Sequence, residues 1–351
     1  MKTIKVLVVD DSAMMRRVIK EILQTDNEIE VIGVARDGED ALKKDVELHP
    51  DVITMDINMP VMDGLTAMLR IFEHHPEVQV IMLSSLTQNG ALTTFEALEL
   101  GAFDYVGKPS GTVSRDLHVV GKELIAKIKA AALSKKRRRP KLSKPFPVKK
   151  SDITDFKNVN KVVVIGVSTG GPGTLMDILP ELPADLDAGI IVVQHMPPLF
   201  TASFAKRLND NCQIPFKEAA AGERVIQGQG MVAPGGVHLV VKKNNAGECM
   251  VRLTHLPEGK LFTPSVDVAM CSIVEIFGRR TIGVLLTGMG SDGADGMVAI
   301  RQAGGMTIAE DESTAVVFGM PRAAIERGGA AVIAPSYTIA TEIIKAVNRI
   351  Q

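Results

Sequence analysis

The sequence predicts an α/β fold in which two doubly wound, parallel-sheet domains share one chain of 351 residues. Three observations carry this. Short β-branched runs alternate with helix-length amphipathic stretches along almost the whole chain, the pattern of parallel sheets covered by helices. The alternation breaks over Ser134–Lys150 and resumes at Lys161. The length also exceeds what a single core usually fills.

In the first part the expected strands are Ile4–Val9, Glu30–Ala35, Val52–Met55, Val80–Leu83 and Tyr105–Val106. The stretches between them show helical periodicity, with Met14, Val18, Ile22 and Leu23 as the apolar positions of the first helix. Five strand–helix units in about 120 residues suit one doubly wound domain. Ser134–Lys150 then holds nine Lys or Arg, three Pro and no acid. Like charges repel and Pro breaks helices, so this reads as an extended, solvated linker in preference to a nucleic-acid or anionic-lipid arm. The second part offers strands at Val162–Gly166, Gly189–Gln194 and Thr281–Leu286. The expected division is a first domain over 1–123, a helix end and linker over 124–158, and a second domain over 159–351.

Bulk properties exclude several classes. A formal net charge of −1 provides no global field for nucleic acid or membrane. Three widely spaced cysteines, Cys212, Cys249 and Cys271, form neither a disulfide framework nor a zinc-type pair. Apolar runs are too short to span a bilayer, and the chain enters a strand at once, without room for a signal peptide. A soluble cytoplasmic protein is expected.

Acidic residues mark the first candidate site. Asp10 and Asp11 follow the first strand and Asp56 follows the third, and in an open parallel sheet the carboxyl ends of strands line the ligand crevice. A single such Asp is ordinarily a helix cap. Several converging carboxylates repel one another unless a cation is present, and hard oxygen donors suit Mg²⁺. Ser84 ends the fourth strand. Lys108 ends the fifth before Pro109, where a cis bond would aim the ammonium inward. Together these residues can hold a phosphoryl group transferred to Asp56.

The stretches VVDDS, MDINMPVMDG, MLSS and the Lys-Pro pair occur in order, and residues 1–123 resemble a response-regulator receiver domain, which is flavodoxin-like. The resemblance implies Asp56 as phosphoacceptor. It places Mg²⁺ on Asp11, Asp56 and the Asn58 backbone carbonyl with Asp10 alongside, and makes Ser84 and Tyr105 the pair that reports phosphorylation.

The second candidate site begins at Gly166-Val-Ser168-Thr-Gly170, a G-x-S-x-G turn between a strand and a helix, which can expose a serine hydroxyl above the sheet. A pyrophosphate cradle is a rival reading, although the spacing is not G-x-G-x-x-G; an ordinary glycine turn is another. The next strand delivers His195 at its carboxyl end, whereas His49, His74, His75, His118, His238 and His255 read as surface or turn residues. Thr281–Leu286 runs into TGMGSDGAD, a loop whose N–H groups can form an oxyanion hole. It offers Asp292 and Asp295 as acids to orient the histidine, or as helix caps. A serine needs a base, and the base an acid that fixes its tautomer.

IGVSTGGP, QHMPPLFT, VAPGGVH, TPSVD, LLTGMGSDGADG and FGMPRAA span about 159–347. They resemble the catalytic domain of chemotaxis protein-glutamate methylesterases, a Rossmann-like domain. The resemblance implies Ser168 as nucleophile, His195 as general base, Asp292 as orienting acid, Thr169 beside the nucleophile and the Met289 N–H in the oxyanion hole, with no cofactor for the esterase. Such enzymes demethylate glutamate methyl esters on methyl-accepting chemotaxis receptors, releasing methanol, and many deamidate receptor glutamines. The resemblance further implies a chemotaxis histidine kinase as phosphodonor, a monomer, and obstruction of the active site by the unphosphorylated receiver. Two other classes are disfavoured. A DNA-binding regulator needs a basic helix-turn-helix output, and a nicotinamide enzyme needs the glycine fingerprint.

Overall fold

Strands whose residues are buried on both faces must be covered by helices on both sides, and the two parallel sheets of this protein are built that way. The computed structural model describes residues 3–85, 87–108, 115–134 and 159–350. The chain divides into two units, 1–141 and 142–351. The basic run from residue 135 onward and the Lys108–Pro109 bond lie outside the described residues.

The first unit alternates strictly. Its strands are β1 (Ile4–Val9), β2 (Ile29–Ala35), β3 (Val52–Asp56), β4 (Gln79–Ser84) and β5 (Asp104–Gly107). Its helices are α1 (Ala13–Leu23), α2 (Gly38–Leu48), α3 (Gly64–His74), α4 (Gln88–Leu100) and α5 (Arg115–Leu133). Strand order is β2-β1-β3-β4-β5, all parallel. The order reverses between β1 and β3, and Asp10, Asp11 and Asp56 sit at that switch point. α1 starts on a Ser12 cap that accepts from Met15 N–H at 3.3 Å. Its buried residues are Ile19 and Leu23, while Met14 is exposed. The inward stripe therefore begins one residue later than expected.

The second unit opens with β6 (Val162–Val167), α6 (Gly171–Ile178), β7 (Gly189–Gln194) and α7 (Phe200–Asn211). Short strands β8 (Phe216–Glu218) and β9 (Gly230–Val232) follow, then β10 (His238–Lys243) and β11 (Cys249–Thr254). The remainder is α8 (Val266–Phe277), β12 (Thr281–Leu285), α9 (Ala294–Gln302), β13 (Met306–Glu310), α10 (Met320–Glu326), β14 (Val332–Ala334) and α11 (Ser336–Arg349). A parallel seven-stranded sheet runs β14-β13-β12-β6-β7-β9-β8. The chain leaves β6 toward β7 and later returns to β12 on its other side, so the switch point lies between β6 and β12. β10 and β11 depart from the expected parallel pattern and form a separate antiparallel hairpin. Its turn has local chemistry: Asn244 Oδ1 accepts from Ala246 and Glu248 N–H, both at 2.9 Å, and Gly247 takes φ +80°.

Candidate functional site

At the first switch point the Asp10, Asp11 and Asp56 carboxylates lie within 4.8 Å of one another. Lys108 at the end of β5 places its ammonium 2.8 Å from Asp10 Oδ2 and 2.8 Å from Asp56 Oδ1. Asn58 N–H donates to Asp56 Oδ1 at 3.4 Å. Burial, and then the Asp10 charge, push the Asp56 carboxyl above its ordinary value, and Lys108 offsets only part of this. Burial alone would depress the Lys108 ammonium, but Asp10 and Asp56 outweigh it and raise its pKa. An all-oxygen cluster with one exposed member, Asp11, fits a hard divalent cation.

Ser84 and Tyr105 have partners outside this cluster. The buried Ser84 hydroxyl accepts from Thr94 Oγ1 at 2.8 Å and lies 3.3 Å from Gly90 O, both on α4. Tyr105 is buried, with the Lys127 ammonium 5.1 Å from its ring centroid and hydrogen-bonded to its carbonyl at 2.6 Å. Burial, then Asp104 and Glu123, push the phenol well above its usual value.

At the second switch point β6, β7 and β12 end in the three loops singled out from sequence. Ser168 N–H donates to Thr287 O at 2.9 Å, which ties the serine loop to the loop after β12. The two loops approach so closely that a Cβ on Gly288 would stand 2.8 Å from Ser168 Cβ. Gly170 adopts φ +73°, the left-handed conformation that lets the chain turn sharply into α6. His195 Nε2 stands 2.8 Å from Asp292 Oδ2, and the ring is stacked on Phe262 at 4.1 Å between centroids. Its side chain is only 6% exposed, and the buried Nδ1 has no hydrogen-bond partner among the described residues. Asp292 needs the proton on Nε2, which leaves Nδ1 with a free lone pair. Neither Thr169 nor Met289 donates its backbone N–H to a described residue.

Asp292 is held by more than the histidine. Its oxygens accept from Val266 N–H at 2.7 Å, Asp267 N–H at 3.2 Å and the Ser265 hydroxyl at 2.8 Å. The carboxylate thus sits on the amino end of α8, where backbone N–H groups and the helix dipole favour negative charge. Burial alone would raise its pKa, but His195 and these donors hold it well below the usual carboxylate range. Asp295 points elsewhere and pairs with Arg327 on the surface.

Several residues of this site were not singled out from sequence. His238, read as a surface or turn residue, is 1% exposed, and its Nδ1 accepts from Ser265 N–H at 3.0 Å. This corrects the expectation, because the start of β10 is covered by the segment before α8. Thr287 donates its hydroxyl to Thr169 O at 2.9 Å, and its own N–H goes to the buried Glu310 at 2.8 Å. Gln194 Nε2 donates to Ser168 O at 3.0 Å and His195 O at 3.1 Å. Gln194 and His238 lay inside the motifs QHMPPLFT and VAPGGVH, so their segments were marked although their roles were not. Phe262 had no sequence signal.

Asp267 adds a pH dependence. Its Oδ1 accepts from Gly296 N–H at 2.8 Å, and burial, then the Asp292 and Asp295 charges, push its carboxyl from 3.8 up to about 6. A carboxyl whose folded pKa is raised destabilises the fold above that pKa and costs nothing below its unfolded value. Asp267→Asn keeps an acceptor and removes the charge. We expect it to melt about 2–4 °C above the parent at pH 8 and level with it near pH 3.5, measured by thermal denaturation at both.

Comparison with known proteins relates both halves of the chain to known families. The CheB methylesterase family matches residues 163–343, and the response regulator receiver domain family matches residues 6–117. Protein-glutamate methylesterase/protein-glutamine glutaminase 3 of Syntrophomonas wolfei is 53% identical over 99% of this chain and 100% of its own. A protein-glutamate methylesterase/protein-glutamine glutaminase of Caldanaerobacter subterraneus is also 53% identical, over 99% of this chain and 97% of its own. The crystal structure of the Thermotoga maritima CheB methylesterase catalytic domain aligns with a TM-score of 0.52 and 45% identity, covering 53% of this chain and 98% of that one. With a receiver domain ahead of a CheB-type catalytic domain, and relatives matched end to end, the chain belongs to the protein-glutamate methylesterase/protein-glutamine glutaminase family.

Proposed function

We propose that this protein is a phosphorylation-activated esterase that demethylates glutamate methyl esters on chemoreceptors and deamidates receptor glutamines, by a Ser168–His195–Asp292 mechanism. Residues 1–123 form the receiver, 124–158 the helix end and linker, and 159–351 the catalytic domain. The observation that carries the chemistry is the His195 ring: its Nε2 is fixed on Asp292 at 2.8 Å while the buried Nδ1 has no partner.

Ser168 Oγ attacks the γ-ester carbonyl as its proton passes to His195 Nδ1. The Met289 and Thr169 N–H groups receive the oxyanion. Collapse expels methanol, which takes the proton back from His195 and leaves a glutamyl ester on Ser168. Water, deprotonated by the same nitrogen, releases the glutamate and restores the serine. With a glutamine the leaving group is ammonia, so one site serves both reactions. Asp292 keeps its negative charge throughout and stabilises the imidazolium.

Asp56 is the phosphoacceptor, supplied by a chemotaxis histidine kinase. Asp11, Asp56 and the Asn58 carbonyl would hold Mg²⁺ with Asp10 alongside, and the ion would screen the phosphoryl charge. Lys108 pairs with the transferred group. Ser84 would exchange its α4 partners for a phosphoryl oxygen and couple that change to Tyr105. The receiver restrains the esterase until phosphorylated, a shift of a few kcal/mol. Removing residues 1–140 is therefore expected to raise basal methanol release; equal rates for truncated and full-length unphosphorylated protein would contradict the restraint. The Thermotoga relative's catalytic domain crystallised by itself, which supports the truncation as a folded reagent.

A further inference from the structure

We infer that Gln194 is a positioning residue of the esterase site, a buried tie that fixes the separation of the nucleophile loop and the base loop. The inference rests on the reading of Ser168 and His195 as nucleophile and base. Gln194 ends β7, is 2% exposed and donates from Nε2 to the Ser168 carbonyl at 3.0 Å and the His195 carbonyl at 3.1 Å. One amide nitrogen thus bridges the two residues whose side chains must meet for proton transfer. Backbone pairing of β6 with β7 ends with Val167 opposite Gln194 and the His195 N–H donating to Val167 O at 3.1 Å, so the Gln194 amide adds the tie that reaches Ser168 itself.

The amide orientation is forced. Turned over, Oε1 would face two carbonyl oxygens, and only the NH₂ group can satisfy both. The choice has a visible cost: Oε1 is buried with no hydrogen-bond partner among the described residues. Such a group forfeits its desolvation energy. It fits only because residue 171 is glycine, since a Cβ there would stand 2.2 Å from Oε1. Gly171 thus leaves room for a half-satisfied amide, and what that amide accomplishes is the link between the two loops.

The test uses the full-length chain with Gln194→Met, of similar length and without donors, and Gln194→Glu, which loses at least one of the two N–H donors. A misplacement of about 1 Å at a reacting pair can cost about 100-fold in rate. Both variants should lower kcat for methanol release about 10- to 100-fold with KM within about twofold of the parent, the signature of an interaction that matters in the transition state alone. The rate at which a fluorophosphonate labels Ser168, normalised to the folded fraction from thermal melts, should fall by a similar factor. Parent-like kcat and labelling in both variants would overturn the role, as would a loss fully accounted for by a smaller folded fraction. Failure of the parent itself to be labelled at Ser168 would instead remove the nucleophile reading, and this role with it.

Discussion

Ser168→Ala is expected to abolish methanol release from methylated receptor, by about 10⁶-fold in kcat, while phosphorylation of Asp56 by a small phosphodonor proceeds as in the parent. The substitution deletes one oxygen from a half-buried side chain and leaves the backbone ties of the loop in place, including Ser168 N–H to Thr287 O. Thr169, Met289 and His195 remain, so substrate should still bind, and only residual catalysis by the oxyanion donors should persist. Methanol quantification alongside radiolabel transfer to the receiver separates the two halves of the chain. Substantial remaining methanol release would show that another group attacks the ester.

Asp292→Asn should lower kcat by about 10³- to 10⁴-fold, with labelling of Ser168 slowed in parallel. Each Asp292 oxygen accepts from a backbone N–H, Oδ2 from Val266 and Oδ1 from Asp267. An amide must therefore set its NH₂ against one of them in either orientation. With the NH₂ toward His195, the ring is driven to the wrong tautomer and Nδ1 loses its lone pair. With the oxygen toward His195, the tautomer survives but the charge that stabilises the imidazolium is gone. The variant should also melt below the parent, because Asp292 anchors the start of α8. A kcat within tenfold of the parent would remove Asp292 from the proton-transfer chain.

Much of this architecture was legible in the sequence because parallel sheets write themselves plainly. β1, β3, β6, β7 and β12 are predominantly apolar runs, and their carboxyl ends are where chemistry collects. The convergence of Asp10, Asp11, Asp56 and Lys108, and of His195 with Asp292, follows from that rule. The β10–β11 hairpin was hidden because its turn lies inside a domain that otherwise reads as strand–helix repeats. His238 was misread because the burial of a polar ring is decided by a distant partner, Ser265, and not by its neighbours in sequence. The ring orientation of His195 was equally invisible: nothing local distinguishes Nδ1 from Nε2, and only the placement of Asp292 settles which nitrogen is left free. Gln194 shows the same limit, since its amide acts on carbonyls of two separate loops.

The pairing of Asp56 as control with Ser168 as chemistry is tested most directly by methanol release from methylated receptor, with and without a small phosphodonor and Mg²⁺. The parent should release methanol faster when the phosphodonor and Mg²⁺ are present, and Asp56→Asn should show the same low rate in both conditions. An unchanged parent rate despite demonstrated phosphorylation of Asp56 would contradict the account.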